Sequence, residues 1–315
     1  MSAFLLRRFL FALPILLGAL TLLFLLMEAL PGRPFPSEPG ALAPEAAERL
    51  RRLYGTDRPV AERYLLWLGG AARGDLGFSF SEREPVAATV GRAAGRTFVL
   101  AGIAIFLQFV AGTAAGMLAA AGGRRVDRAV TGAAALLYAV PSYWLGLLLV
   151  AIFSVRLGWL PASQMRSAGG AGLADAVRHL LLPCLALALP AAGGIALFVR
   201  DAIRAGLGER LTAAVRSRGL SRAQIVVRHG AWRGLLAAST LLGLALPGLV
   251  AGSVVIETLF AWPGMGRLAY QATLARDAPL VLGCAACAAA LVIAGSLLAD
   301  LLAAAIDPRV RESLE

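Results

Sequence analysis

The residues that could carry out chemistry are few, and most of them stand apart from one another. Cys284 and Cys287 form a C-x-x-C pair, a spacing found in redox and metal sites, but the pair lies in a run of small and apolar residues with no second pair. The two histidines, His179 and His229, are far apart in sequence. We therefore interpret the cysteines as small packing residues and predict neither a catalytic site nor a metal site.

The basic residues also exclude some chemistry. All 30 of them are arginine, because the sequence contains no lysine. A Walker A loop needs a lysine at the β- and γ-phosphates, and Schiff-base chemistry needs a lysine as nucleophile. If ATP drives this protein, another chain must bind it. We predict that the chain is not itself an enzyme and holds no cofactor.

The segment best suited to contact another protein is the arginine-rich stretch 200–234. Its centre, from Leu211 to Gly230, reads LTAAVRSRGLSRAQIVVRHG. Gly219 can close a helix in the left-handed conformation, and Ser221 with Gln224 forms a capping-box pattern that begins the next helix. We predict two short helices joined at Gly219. Two interpretations remain open: insertion into a partner's groove, or a solvated basic loop beside anionic lipid headgroups.

The composition places these residues in a membrane protein. Hydrophobic residues make up 59% of the chain, charged residues 16%, and the mean hydropathy is +0.75, whereas soluble domains have about 45–50% apolar and about 25% charged residues. A spanning helix needs about 20 mostly apolar residues. The stretches that qualify are 9–30, 97–121, 130–155, 180–199, 235–259 and 279–306. We predict an all-α membrane protein, one domain over 1–315 with about six transmembrane helices.

The arginines orient this bundle. They are concentrated before the first stretch, after the second, fourth and sixth, and less so in the short loops between. Short loops rich in arginine stay in the cytoplasm, so both termini and 200–234 are expected inside, and 31–96 outside. The net charge of +11 is explained in this way, and we expect membrane lipid rather than nucleic acid as the partner of these charges.

The long loop 31–96 has structure of its own. Residues 59–74 show an amphipathic helical pattern, and Gly74-Asp75-Leu76-Gly77 then provides a turn. A surface helix that packs on the bundle or lies at the lipid interface is one interpretation. A docking surface for an external partner is the other, and the sequence does not separate them.

A few polar residues lie within or beside the apolar stretches. Gln108 is in the middle of its stretch, where an interhelical hydrogen bond or a place on a transport pathway would both suit it. Glu28, Glu257 and Asp300 lie near predicted helix ends, so we expect interfacial placement. The turn at Trp262, Pro263 and Gly264 is expected at the outer membrane interface, where tryptophan is enriched.

Several blocks of this sequence resemble one family of membrane proteins. They are FLLRR from Phe4, LPG from Leu30, GDLGFS from Gly74, VPSYWLG from Val140, LGWLP from Leu157, RHLLLP from Arg178, ETLFAWPGMGR from Glu257 and DPRVR from Asp307. The stretch VRSRGLS from Val215, followed by Arg228-His229, is similar to the EAA motif of ABC-importer permeases, in the form found in oligopeptide and dipeptide permeases. The resemblance covers essentially the whole chain.

The resemblance implies a type I ABC importer permease in a bacterial or archaeal inner membrane. It implies that the loop couples the bundle to a cytoplasmic ATPase through Ala213, Ala214, Arg216, Arg218, Gly219, Leu220, Ser221, Arg222, Arg228 and His229. The implied partners are two such ATPases, which bind ATP and Mg²⁺, a second permease, expected to be a different chain, and an extracytoplasmic substrate-binding protein. Departures from the motif at Ala213, where an acidic residue is usual, and at Val215 put the strength of ATPase docking in doubt.

The resemblance leaves the substrate open. Peptides are the family's usual cargo, but relatives in the family carry nickel chelates, glutathione or opines. An intramembrane enzyme is disfavoured because no nucleophile and base are clustered. An ion-coupled secondary transporter is disfavoured because the centres of the apolar stretches carry almost no charge and the sequence shows no internal repeat.

Overall fold

A computed structural model describes residues 2–29, 58–167, 169, 172–208 and 221–306, and most of these residues are helical. The helices are α1 (Ser2–Ala29), α2 (Val60–Ala71), α3 (Val86–Ala121), α4 (Arg124–Ala139), α5 (Ser142–Leu149), α6 (Leu173–Leu207), α7 (Arg222–Ile225), α8 (Ala231–Leu259), α9 (Met265–Leu274) and α10 (Ala278–Ile306). Two π-helical segments, Val150–Arg156 and Val226–Gly230, continue α5 and α7. These ranges contain no strand, so the all-α prediction is confirmed.

The described parts of the predicted apolar stretches are helical, apart from a break at Val140 and Pro141. Leu10–Ala29 of α1, all of α3 and α6, and Ala278–Leu297 of α10 are long and apolar enough to cross a membrane, and α4 with α5 would make a fifth span. The stretch 235–259 lies in α8, whose 29 residues extend about 43 Å at 1.5 Å per residue. The amphipathic helix predicted within 59–74 is α2.

The expectation of one continuous helix over 130–155 is wrong. The segments Arg124–Ala139 and Ser142–Arg156 are bent by 102° at the break between them. Val140 has an extended conformation, with φ −81° and ψ 126°, and Pro141 follows it. Proline disfavours helical backbone at the residue before it, and this explains the position of the break.

The most buried candidate span is α6, which stays helical through Pro183 and Pro190. It packs against α3 at two glycines one turn apart. A Cβ on Gly112 would lie 2.8 Å from the carbonyl oxygen of Ala192, and one on Gly116 would lie 2.7 Å from that of Ala196. This small-xxx-small pattern allows two helix backbones to approach closely in a membrane.

Contacts divide the chain into two compact units. The first contains the described residues of 97–263 and 294–306, and its buried core joins α3, α5, α6 and α8 through side chains such as Leu100, Leu182, Ile256, Phe260 and Trp262. A second cluster in this unit surrounds the end of α6 and the start of α8.

The second unit contains the described residues of 2–96 and all of 264–293. Its core joins the first turns of α3 to α9 and α10 through Val86, Val90, Met265 and Leu280. Because these first turns of α3 bury valines, the helix begins eleven residues before the predicted apolar stretch. Cys284 is buried in the same core, which agrees with its interpretation as a packing residue.

Candidate functional site

The predicted coupling segment lies between α6 and α8, and the structure describes its two flanks. The predicted contact residues Ala213, Ala214, Arg216, Arg218, Gly219 and Leu220 lie outside the described residues. On the first flank, α6 ends at Leu207 and Gly208 follows with a positive φ of 55°. On the second flank, described backbone resumes at Ser221.

The predicted capping box at the second flank is confirmed. The Ser221 backbone N–H donates to Gln224 Oε1 at 2.9 Å, and the Gln224 N–H donates to Ser221 Oγ at 3.3 Å. These reciprocal bonds satisfy two of the donors that a helix start leaves without intrahelical partners. Arg222 is the first residue of α7. The helix after the predicted elbow is therefore well defined.

The capping box gives a testable prediction of modest size. Replacing Ser221 with alanine should destabilise the start of α7 by about 1 kcal/mol, the usual loss for a serine cap. Backbone amides of 222–226 should then exchange with deuterium about fivefold faster in the purified importer. Ser239→Ala is the matched control, because Ser239 Oγ donates to the Leu236 carbonyl oxygen within α8. Unchanged exchange in Ser221→Ala would show that the box does not support the helix.

The two flanks are held together by a buried apolar cluster. Ile203 and Leu207 near the end of α6 pack with Ile225 and Val226 at the second flank. A Cβ on Gly230 would lie 2.8 Å from Ile203 Cγ2, so only glycine fits there without a shift. Arg228 and His229, two of the predicted contact residues, are exposed on the π-helical segment. The base of the segment is fixed, and these side chains face outward from it.

An ion-pair cluster beside this base was missed by the sequence analysis. Asp127 near the start of α4 accepts at Oδ1 from Arg200 Nε at 2.7 Å and at Oδ2 from Arg200 Nη2 at 2.9 Å, and Arg204 Nη2 lies 2.9 Å from the same Oδ2. Arg200 also donates to Asp201 at 2.5 Å. The carboxylate ties α4 to the last two turns of α6. The available signal was Asp127 as the one acid among Arg124, Arg125 and Arg128.

The Asp127 cluster carries a second prediction. Asp127→Asn keeps the size of the side chain but removes the charge shared by Arg200 and Arg204, and we expect a loss of about 1–3 kcal/mol, typical of hydrogen bonds to charged groups. Thermal unfolding of the purified importer measures this loss. Asp201→Asn is the control, because the Asp201 side chain is 67% exposed and exposed pairs contribute about 0–1 kcal/mol. Equal losses in the two variants would contradict a special role for Asp127.

Glu257 and Trp262, which the sequence analysis expects at the membrane interface, are both covered by protein. Glu257 is 0% exposed and accepts a hydrogen bond from Thr97 Oγ1 at 2.7 Å, while Trp262 is 1% exposed within the first unit's core. The backbone N–H of Trp262 donates to the backbone carbonyl oxygen of Glu257 at 2.8 Å, which closes a tight turn after α8. The sequence showed that a helix ends here, but not that neighbouring helices cover its end. Both residues pack inside the bundle, and their place on a pathway or at an interface stays a prediction.

The remaining predicted residues have mixed outcomes. Pro263 is half-buried, and Gly264, in extended conformation, precedes the first residue of α9. Gln108 is 3% exposed on α3; that burial does not choose between a pathway and an interhelical role. Asp300 is in α10, but its side chain lies outside those described. Glu28, which the sequence placed at an interface, is paired with Arg63 at 2.9 Å.

A second polar cluster that the sequence analysis missed lies in the second unit. Asp277, 0% exposed, accepts from Ser79 Oγ at 2.6 Å and from Ser81 N–H and Oγ at 2.9 and 2.8 Å. Its other carboxylate oxygen accepts from the Leu280 N–H at 3.2 Å, which caps α10. One carboxylate therefore fastens the loop before α3 to the start of α10. In the same loop, a hydrogen bond from Arg92 lowers the pKa of the exposed Glu84 carboxyl.

The geometry alone does not identify the family of this chain, whereas comparison with known proteins does. Residues 112–312 match the family described as "Binding-protein-dependent transport system inner membrane component". The chain is 32% identical over 314 residues to the oligopeptide transport system permease protein AppB of Bacillus subtilis, with 98% of this chain and 99% of the relative covered. It is 34% identical over 313 residues to the oligopeptide transport system permease protein OppB of Haemophilus influenzae, covering 99% and 100%.

Two further similarities agree with these. A putative peptide transport system permease protein of Brucella abortus is 36% identical over 317 residues, covering 99% of both chains. Among solved structures, a chain of the MetNI methionine ABC transporter in inward-facing conformations matches with a TM-score of 0.52 and 19% identity, over 69% of this chain and 96% of that chain. At that identity the structural match concerns the fold, which is that of an ABC importer permease.

Proposed function

Since this chain belongs to the family of binding-protein-dependent transport system inner membrane components, we propose that it is the permease subunit of an ABC importer for di- and oligopeptides. The membrane location, the permease role and the placement of ATP hydrolysis in separate subunits follow from the family. The peptide substrate is the finer proposal. It is supported by relatives with peptide or oligopeptide in their names that match almost the full length of this chain.

Uptake by the reconstituted importer tests this substrate. Vesicles that contain the complex and its binding protein should accumulate a labelled tripeptide only when ATP is present on the side of the ATPases. Excess unlabelled peptide should abolish accumulation, whereas glutathione, an opine or a nickel chelate should not. Inhibition by one of these compounds, with no inhibition by peptides, would overturn the substrate and leave the permease role intact.

The proposed coupling site is the segment 209–220 with its two flanks. The resemblance assigns the ATPase contact to Arg216, Arg218 and the residues around them, and the capping box at Ser221 supports a helix directly after Gly219. The exposed Arg228 and His229 extend this basic surface. Movement of an ATPase would reach α6 and α8 through the buried cluster of Ile203, Leu207 and Val226, because packed side chains transmit displacement.

The proposed complex contains two permease subunits acting as one pathway, two cytoplasmic ATPases that bind ATP and Mg²⁺, and an extracytoplasmic binding protein. We propose that the second permease is a different chain and that all of 1–315 serves as one permease domain. Affinity purification in mild detergent, with mass spectrometry of the recovered chains, tests this composition. A complex with two copies of this chain and no second permease would contradict the heterodimer.

A further inference from the structure

The helix α2 is attached to α1 at a level that lies inside the membrane. The sequence is apolar from Phe9 to Leu30, between Arg8 and Arg33, with Glu28 as the one charged residue near its end. The 20 helical residues of α1 that end at Ala29 extend about 30 Å at 1.5 Å per residue, the thickness of the hydrocarbon core. Ala29 therefore marks one edge of the core. By the arginine distribution this is the extracytoplasmic edge. Thr21, eight residues earlier, lies about 12 Å below it.

Three contacts fix α2 to this part of α1. The Tyr64 hydroxyl is 2.5 Å from Thr21 Oγ1, and the Tyr64 ring lies 5.2 Å from that of Phe24. Arg63 makes two bonds of 2.9 Å to the Glu28 carboxylate, one residue before Ala29. Tyr64 thus points down into the core and Arg63 reaches up to its edge, as long charged side chains do at an interface. The backbone of α2 between them lies below the edge.

The opposite face of α2 is apolar and exposed. At 100° per residue, Tyr64 and Trp67 share the face towards α1, while Leu65, Leu66 and Gly69 lie on the other face. Leu65 is 66% exposed and Leu66 is 54% exposed. No charged residue occurs from Tyr64 to Ala72, whereas charges flank both ends at Arg58, Glu62, Arg63, Arg73 and Asp75. This is the pattern of a helix that lies in the interface with its apolar face in lipid.

We propose that α2 is embedded in the extracytoplasmic leaflet, with Leu65 and Leu66 in contact with phospholipid acyl chains. The depth of the Thr21 contact selects this occupant, because an aqueous partner would meet the face of a helix above the membrane edge. The spanning helix α1 also has an exposed apolar surface, formed by Leu22, Leu25 and Leu26. The paired Arg63 and Glu28 then anchor α2 at headgroup level.

Spin-label accessibility tests this placement in the complete importer, reconstituted in vesicles of phosphatidylethanolamine and phosphatidylglycerol. Nitroxides are attached to cysteines at position 65 or 66 after Cys184, Cys284 and Cys287 are replaced by alanine. Position 22 is the lipid control, and position 82, in the exposed outer loop, is the water control. Labels at 65 and 66 should collide with oxygen as strongly as at 22 and should lose the collisions with a water-soluble nickel complex that are seen at 82.

Two results would overturn the proposal. Strong nickel collisions at 65 and 66 would place this face in water, and weak collisions with both reagents would show that another part of the importer covers it. A photoreactive diazirine amino acid at position 66 of the chain with its native cysteines provides a second measurement. It should attach to phospholipid on illumination, and attachment to a protein subunit instead would count equally against the proposal. Uptake, measured on the same vesicles, reports separately on the proposed function.

Discussion

Vesicles with the complete importer carrying Gly219→Pro are expected to lose uptake while the variant subunit stays in the membrane and ATP is still hydrolysed. Proline fixes φ near −65°, removes the backbone N–H and disfavours helical backbone at Arg218. An incompatible proline costs about 3 kcal/mol, which lowers the population of the docked elbow roughly 100-fold. Uptake is expected to fall by about this factor, and both uptake and ATP hydrolysis are measured on one preparation.

The described flanks explain why this effect should remain local. The cluster of Ile203, Leu207, Ile225 and Val226 and the capping box at Ser221 do not involve residue 219. Gly208→Ala is the matched control, because Gly208 has the positive φ that we predict for Gly219 but lies outside the predicted contact residues. It should lower stability slightly and leave the ratio of uptake to ATP hydrolysis unchanged. Normal uptake by Gly219→Pro would refute the coupling assignment.

Asp277→Ala should lower the free energy of unfolding by about 3–5 kcal/mol, because it removes several hydrogen bonds to a charged acceptor, each worth about 1.5–3 kcal/mol before the loop relaxes. The change leaves the Ser79 hydroxyl, the Ser81 N–H and hydroxyl, and the Leu280 N–H without their acceptor. We expect the thermal midpoint of the purified importer to fall by about 5–10 °C. The loop before α3 should also become cleavable by protease, because Asp277 fastens it to α10.

The variant Asp277→Asn tests whether the stability depends on the charge of this carboxylate. Both carboxylate oxygens of Asp277 accept hydrogen bonds, so an amide would direct an NH₂ group at a donor whichever way it is oriented. Asp277→Asn should therefore be nearly as unstable as Asp277→Ala. Asp277→Ser can still cap α10 and should recover about 1 kcal/mol. Wild-type stability in Asp277→Asn would show that the network does not depend on the charge.

The sequence analysis was accurate for most features whose signal is local. The apolar stretches predicted the helices, the 59–74 pattern predicted α2, and Ser221 with Gln224 predicted a capping box that the structure contains. Each of these depends on residues within a few turns of one another. The break at Pro141 also has a local cause, because proline disfavours helical backbone at the residue before it. The sequence analysis missed this break because it considered only the hydropathy of 130–155.

The partners of the buried acidic residues could not be predicted from local sequence patterns. Asp277 and Ser79 are 198 residues apart, Glu257 and Thr97 are 160 apart, and Asp127 and Arg200 are 73 apart. Pairs separated by so many residues cannot be predicted from a local sequence pattern. Glu257 and Trp262 were placed at an interface because they follow a long apolar run, yet both are buried by helices from elsewhere in the chain.

The sequence by itself determined that this protein is a helical membrane subunit, that it carries no ATP-hydrolysing machinery of its own, and that it belongs with importer permeases. Those properties depend on composition, periodicity and short motifs, which are fully present in the order of the residues. The tertiary structure decided which carboxylates are buried, which arginines neutralise them, and at what depth α2 meets α1. Such pairings depend on helices that are distant in sequence coming together, since a buried charge is stable only where packing provides its partner.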